Sequence, residues 1–271
     1  MIKPLFLIAW FGFGSPVLAD VLPALPAAPA VGVLDDPCAG VPIVPSAAHQ
    51  ASADPYQSWM HEWLGLDWGQ KCRYRRENAA LPPATPHRVV FLGDSITESW
   101  AHFEPDFFVD DVLDRGISGQ TTAQMLVRLR TDVLELHPAA VHIMAGTNDV
   151  AGNTGPTSLA DIQGNIASMV EQARAHGARV MLASIPPAAA IPWRPQVQPM
   201  TAIAAMNDWL RGYADREHLV YVDYYKVLSD GRGGFRAELS DDGVHPNGAG
   251  YAVMRPLTAA AIRQALARPH H

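Results

Sequence analysis

The chain has 271 residues, a formal net charge of −7, 17% charged and 48% hydrophobic residues. An acidic protein without Lys/Arg clusters is a poor partner for nucleic acid or an anionic membrane surface. The length suffices for one well-cored domain plus a tail, and the composition is that of a globular protein.

Taken from the N-terminus, residues 1–19 read as an export signal: Lys3 gives a positive start, Pro4 to Phe13 is apolar, and Val17-Leu18-Ala19 precedes Asp20 in the manner of a cleavage site. The apolar stretch is too short for a comfortable span, so no membrane span is expected after cleavage and the mature protein is expected to be periplasmic or secreted; an uncleaved anchor is the alternative. Residues 20–54 are rich in Pro and Ala with few large apolar side chains, and read as an extended linker or arm. Residues 55–87 form an N-terminal extension in which Tyr56, Trp59, Trp63, Leu64 and Trp68 supply aromatic bulk, followed by a helical stretch from Arg73 to Leu81. Packing on the main domain is the simplest use of that cluster; a carbohydrate-stacking platform is the alternative. The two cysteines, Cys38 and Cys72, both follow the leader. In an oxidising compartment their pairing closes a loop of about 34 residues and contributes roughly 3–4 kcal/mol by chain entropy; two free, partly buried thiols are the other reading.

From residue 88 to 271 strands alternate with helices, the pattern of a parallel sheet covered on both faces. Strands are predicted at about 88–92, 111–115, 140–144, 179–184 and 219–223, and helices at about 121–136, 158–176, 200–216 and 248–267. Leu159, Ile162, Ile166, Met169 and Val170 follow the 3.6-residue period of an amphipathic helix, and Gly177 suits its stop. Ligands of open α/β sheets bind outside the carboxyl ends of the strands.

Four segments at or near those ends carry chemistry: Gly93-Asp94-Ser95-Ile96-Thr97, Gly116-Ile117-Ser118-Gly119, Gly146-Thr147-Asn148-Asp149 and Asp242-Gly243-Val244-His245. A serine hydroxyl needs a base to take its proton, and that base needs a third group to hold its tautomer. His245 suits the base, because its ordinary pKa lies in the working range. Asp242, three residues earlier, can reach the ring through one tight turn; Asp241 competes for the same role. Attack on a carbonyl leaves a negative oxygen that pre-aimed donors must meet. The Ser95 backbone N–H, the Gly119 N–H and the Asn148 side-chain amide are the candidates. His142 lies inside a predicted strand and reads as a core residue, and His270 and His271 as a frayed tail.

These four segments resemble the sequence blocks of the SGNH/GDSL hydrolase superfamily. Ser95, Gly119, Asn148 and His245 fall on the four residues that give the family its name, and Asp242 on its triad acid. The likeness runs from about residue 70 to the C-terminus. The runs Gly116 to Thr122 and Ala145 to Gly155 are similar to bacterial secreted acylhydrolases related to the platelet-activating-factor acetylhydrolase subunits. The resemblance implies an α/β, flavodoxin-like three-layer sandwich on a five-stranded parallel sheet, with an open active site and no metal. The elbow Gly-x-Ser-x-Gly of the α/β-hydrolases is not met, since Thr97 stands at its second glycine. No phosphate-binding or dinucleotide-binding glycine pattern is present, so no cofactor is expected.

The expected activity is hydrolysis of short-chain acyl esters, acetyl groups on carbohydrate foremost, through a Ser-His-Asp triad and an acyl-enzyme. The loop after the fourth strand, Pro186 to Pro195, should rim the site, with Trp193 and Arg194 as exposed contacts for the substrate. A lysophospholipase, thioesterase or O-acyltransferase would use the same triad. A non-catalytic carbohydrate-binding protein would be expected to lack at least one of these groups.

Overall fold

The computed structural model describes residues 34–267. The export signal at 1–19, the first part of the Pro/Ala segment, and His270 and His271 lie outside the described residues.

Two compact units divide the chain after Gly40. In the first, residues 37–40 form a turn in which the Cys38 N–H donates to Asp36 Oδ1 at 3.1 Å. Neither Cys38 nor Cys72 is a free thiol.

The second unit begins with three short helices: α1 (Ala47–Gln50), α2 (Pro55–Leu66) and α3 (Arg75–Ala79). Ser46 caps α1 and is held by the His49 ring at 2.7 Å. Asp54 caps α2, whose first residue is Pro55, an arrangement that suits the missing N–H of proline. Of the segment read as an extended linker or arm, residues 41–54 include a short helix and pack against α2. His49 is buried and bonded to Glu62 at 2.7 Å, Trp59 Nε1 donates to the Pro42 carbonyl, and Val41 and Ile43 pack on a small core of Trp63, Tyr74 and Ile117. Few apolar residues suffice here because the aromatic side chains they meet come from α2 and beyond.

The sheet is built from β1 (Val89–Gly93), β2 (Val112–Gly116), β3 (Ala140–Met144), β4 (Arg179–Ala183) and β5 (Val220–Val222), all parallel in the order β2-β1-β3-β4-β5. The connecting helices are α4 (Ser95–Phe103), α5 (Thr122–Asp132), α6 (Thr147–Val150), α7 (Leu159–Ala175), α8 (Pro199–Arg216), α9 (Tyr224–Leu228) and α10 (Gly248–Ala267). Successive strand residues face opposite sides. Val90, Leu92, Val141, Ile143, Val180 and Leu182 enter a core with α5, α7 and α8. Val89, Phe91, Met181, Ala183, Val220 and Val222 enter a second core with α4, α9 and α10. The result is a three-layer α/β sandwich.

Several predicted boundaries move. The helix expected over 121–136 ends at Asp132 and is followed by a 3-10 turn at Leu134–Leu136. Ser95, expected near a strand end, lies at the first position of α4. His142 is fully buried, bonded to the Tyr224 hydroxyl at 2.9 Å and stacked on Phe91, with ring centroids 4.5 Å apart.

Candidate active site

β1 ends at Gly93, and the next residue, Asp94, caps α4 by accepting the Ile96 N–H at 3.0 Å. Ser95 is thus the first helical residue, and its own N–H has no intrahelical acceptor. That donor, with the positive end of the helix behind it, suits an incoming negative oxygen. Close packing forces this position. A Cβ on Gly116 would lie 2.2 Å from the Glu98 backbone nitrogen and 2.7 Å from the Asp94 oxygen, so only glycine lets β2 come up beside the first turn of α4.

The base reaches Ser95 from the far end of the chain. His245 Nε2 is 2.9 Å from Ser95 Oγ, and His245 Nδ1 is 2.7 Å from Asp242 Oδ2. The other Asp242 oxygen accepts the backbone N–H groups of Val244 and His245 at 2.9 and 2.8 Å. Gly243 makes the tight turn with φ +78°, and an antiparallel bridge between Ser240 and Pro246 closes it. Burial works against the Asp242 charge, but the hydrogen bonds from His245 and Val244 hold its carboxyl below the usual range. Asp241 instead accepts from Asn247 at 3.2 Å.

Gly119 follows β2 with φ +79° and lies in the loop whose Ser118 N–H and hydroxyl both donate to Glu98 Oε2, at 2.8 and 2.5 Å. Asn148 lies in α6 after β3, almost completely buried. Its amide NH2 donates to the Gln120 carbonyl at 3.0 Å and to Asp94 Oδ2 at 3.3 Å. The longer contact is the weaker. Burial pushes the Asp94 carboxyl up to about 6. Asp149, next to Asn148, anchors α6 to α5 by accepting the Thr122 N–H and hydroxyl, at 2.9 and 2.6 Å.

Ser95, Gly119, Asn148, His245, Trp193 and Arg194 all line one cleft of about 550 Å3. The Trp193 Nε1 donates to Asn153 Oδ1 at 3.0 Å, and Asn153 Nδ2 donates to Asn148 Oδ1 at 2.8 Å and to the Gly119 carbonyl at 3.3 Å. Sequence reasoning passed over Asn153, Asp94 and Glu98. It also did not anticipate that α2 reaches the cleft through Gln57, Met60 and Leu64. Their spacing, one face of a helix at i, i+3 and i+7, was the available signal. Among the described residues, no group of three or more His, Cys, Asp or Glu could hold a metal ion. Among the same residues, no helix is long and apolar enough to cross a membrane.

Fold and motif together define a hydrolase of the SGNH type, in which a serine after the first strand meets a histidine from the last loop. The chain belongs to the GDSL-like lipase/acylhydrolase family, whose model matches residues 91–253, and it is a carboxylic ester hydrolase. A GDSL-like lipase from Bacteroides thetaiotaomicron VPI-5482 superposes with a TM-score of 0.71 at 43% identity, covering 73% of this chain and 99% of that one. Esterase TesA of Pseudomonas aeruginosa is 31% identical over 179 residues, covering 60% of this chain and 81% of that protein. A shorter match, 39% identical over 75 residues, is to the uncharacterized lipoprotein YqeF of Bacillus subtilis (strain 168), covering 27% of this chain and 31% of that protein.

Proposed function

We propose that the protein is a serine esterase that removes short acyl groups, acetyl foremost, from carbohydrate through a Ser95-His245-Asp242 triad. The observation that carries this reading is the unbroken chain of contacts from Ser95 Oγ to His245 Nε2 at 2.9 Å and from His245 Nδ1 to Asp242 Oδ2 at 2.7 Å.

Ser95 Oγ attacks the ester carbonyl carbon while its proton passes to His245 Nε2. The carbonyl π pair moves onto oxygen, where the Ser95 and Gly119 N–H groups and the Asn148 amide donate to it. Each such donor is worth roughly 3–4 kcal/mol of barrier. Collapse breaks the bond to the alcohol oxygen, which takes the proton from His245 and leaves as a sugar alcohol. Water then attacks the acyl-serine, losing its proton to His245, and acid release regenerates the hydroxyl. Asp242 steadies the imidazolium through both steps.

The carbohydrate assignment rests on Trp193 and Arg194 at the cleft, a flat ring for sugar stacking beside a cation for polar groups. Export fits it, since polysaccharides lie outside the cytoplasm. The leader-like residues 1–19 and the likeness to a lipoprotein support a periplasmic or secreted location.

A series of p-nitrophenyl esters from two to twelve carbons, together with acetylated oligosaccharides assayed by acetate release, tests the reading. Turnover should peak at acetate or butyrate and vanish in Ser95→Ala. A maximum at ten carbons or more would point to a lipase or lysophospholipase. Acyl transfer to added sugar in preference to water would point to a transferase.

A further inference from the structure

The cleft has two ends. Along the sheet, Ser95 follows β1, with β2 on one side and β3, then β4, on the other. At the β4 end stand Trp193 and Arg194; the Trp193 ring lies against the His245 imidazole with centroids 5.8 Å apart. At the β2 end lies α2, packed through Trp63 onto Ile117 and Tyr74. The segment after α2 holds that end in place: Gln120 Nε2 donates to the Gly69 carbonyl at 3.2 Å, and Gln124 Nε2 to the Trp68 carbonyl at 2.8 Å.

A helix has room for two jobs when its faces differ. In α2 Trp63 fills the small core and Gln57 and Leu64 line the cleft, while Met60 sits at the boundary, packed against that core and lining the cleft as well. The chemistry assigns an end to each arm of the substrate. His245 returns its proton to the departing alcohol oxygen, so the alcohol must lie beside the imidazole, which is the Trp193 end. The acyl chain therefore points the other way, toward α2.

We infer that α2 is the acyl-length ruler of this enzyme: Met60 and Leu64 close the acyl end of the cleft and limit which chains fit. The inference rests on the esterase reading above and adds the element that sets its specificity. Helix α2 lies outside residues 91–253, the part that matches the family model, so the ruler is carried by the N-terminal extension rather than by the shared domain. Met and Leu give an apolar wall suited to methylene groups. One methylene more or less in an apolar pocket changes selection by about tenfold or more.

The test is kcat/KM across the p-nitrophenyl series from acetate to decanoate, for the full-length enzyme and four variants. The Met60→Ala/Leu64→Ala double variant should raise the octanoate-to-acetate ratio by about tenfold or more. Leu64→Trp should act oppositely and narrow turnover toward acetate. Met60→Leu, which keeps the volume, should retain the wild-type profile. Trp193→Ala, at the alcohol end, should raise KM for acetylated sugars and leave the chain-length profile unshifted. The opposed signs of the first two variants separate a ruler from simple misfolding, which would lower all rates together. A profile of unchanged shape in both, with Ser95-dependent turnover intact, overturns the ruler and leaves the esterase standing. Absence of Ser95-dependent turnover in the wild type overturns both.

Discussion

The Trp193 indole tilts by 32° over the His245 imidazole while its Nε1 hydrogen is donated to Asn153. One side chain thus touches the proposed base and, through Asn153, two of the three oxyanion-hole candidates, Gly119 and Asn148. Asn153 is a positioning residue in this scheme. Asn153→Ala should lower kcat by about tenfold, with KM for p-nitrophenyl acetate changing far less, because a misaimed donor is felt mainly in the transition state. Asn153→Asp keeps an acceptor for Trp193 but loses the donor to Asn148 and should not restore kcat. Steady-state kinetics on the two variants check this.

Asp242 and Asp241 adjoin in sequence but not in use. Asp242 holds the His245 ring and two backbone N–H groups, whereas Asp241 bonds Asn247. Asp242→Asn should reduce kcat by about a thousandfold or more through the wrong imidazole tautomer. Asp241→Asn should stay within about threefold, the scale of a surface change. The same assay on both proteins decides which carboxylate belongs to the triad.

Stability should depend on pH through two buried groups of opposite sign. Burial pushes His142 down to about 3, so it stays neutral in the fold while the unfolded chain takes up a proton below about 6.5. Stability from this group is therefore full above about 6.5 and falls as the pH drops toward 3. Burial pushes Asp114 up to about 7, opposed by the Gly116 N–H, Arg115 and Arg128 and reinforced by Glu98, and its Oδ2 has no hydrogen-bond partner among the described residues. Here the fold binds the proton more tightly than the unfolded chain, so stability falls as the pH rises from about 3.8 to 7. Urea unfolding at pH 4.5 and 8 should show His142→Gln gaining on wild type at the acid end and Asp114→Asn gaining at the alkaline end. Each gain should be on the order of 2–4 kcal/mol.

Arg128 and Asp132 form an ion pair at 3.2 Å with both side chains fully buried. The same guanidinium donates to the Gly93 carbonyl, two residues before the serine, and to Gln120 Oε1. Arg128→Met leaves the buried Asp132 carboxylate bonded to Asn78 but without its counter-ion and should cost about 3–5 kcal/mol in denaturant unfolding. Arg128→Met with Asp132→Leu should recover a large part of that loss, since the orphaned charge is gone as well.

The strands were legible because parallel strands buried on both faces read as apolar runs: Val89 to Leu92 and Ala140 to Met144 fall within a residue of where the sequence set them. Helix α4 was not read, although Asp94, an N-cap residue directly after an apolar strand, was the clue. The docking of residues 41–54 was hidden for a different reason. Val41, Ile43 and His49 gain their burial from Trp59, Trp63 and Glu62, and no local pattern carries a tertiary contact of that kind. Within the site, the residues proposed to meet the substrate carry motifs of type and spacing, whereas Asn153 and Glu98, which hold other residues, carry no motif of their own.

Ser95 and His245 are 150 positions apart, and the Tyr251 hydroxyl pins the last helix to the Ile96 carbonyl across 155. A chain still emerging from the ribosome has therefore made the residues of every strand, and Ser95, before it makes the imidazole of the proposed base. On the proposed triad, a copy cut before His245 should keep its strands and its serine yet turn over no ester.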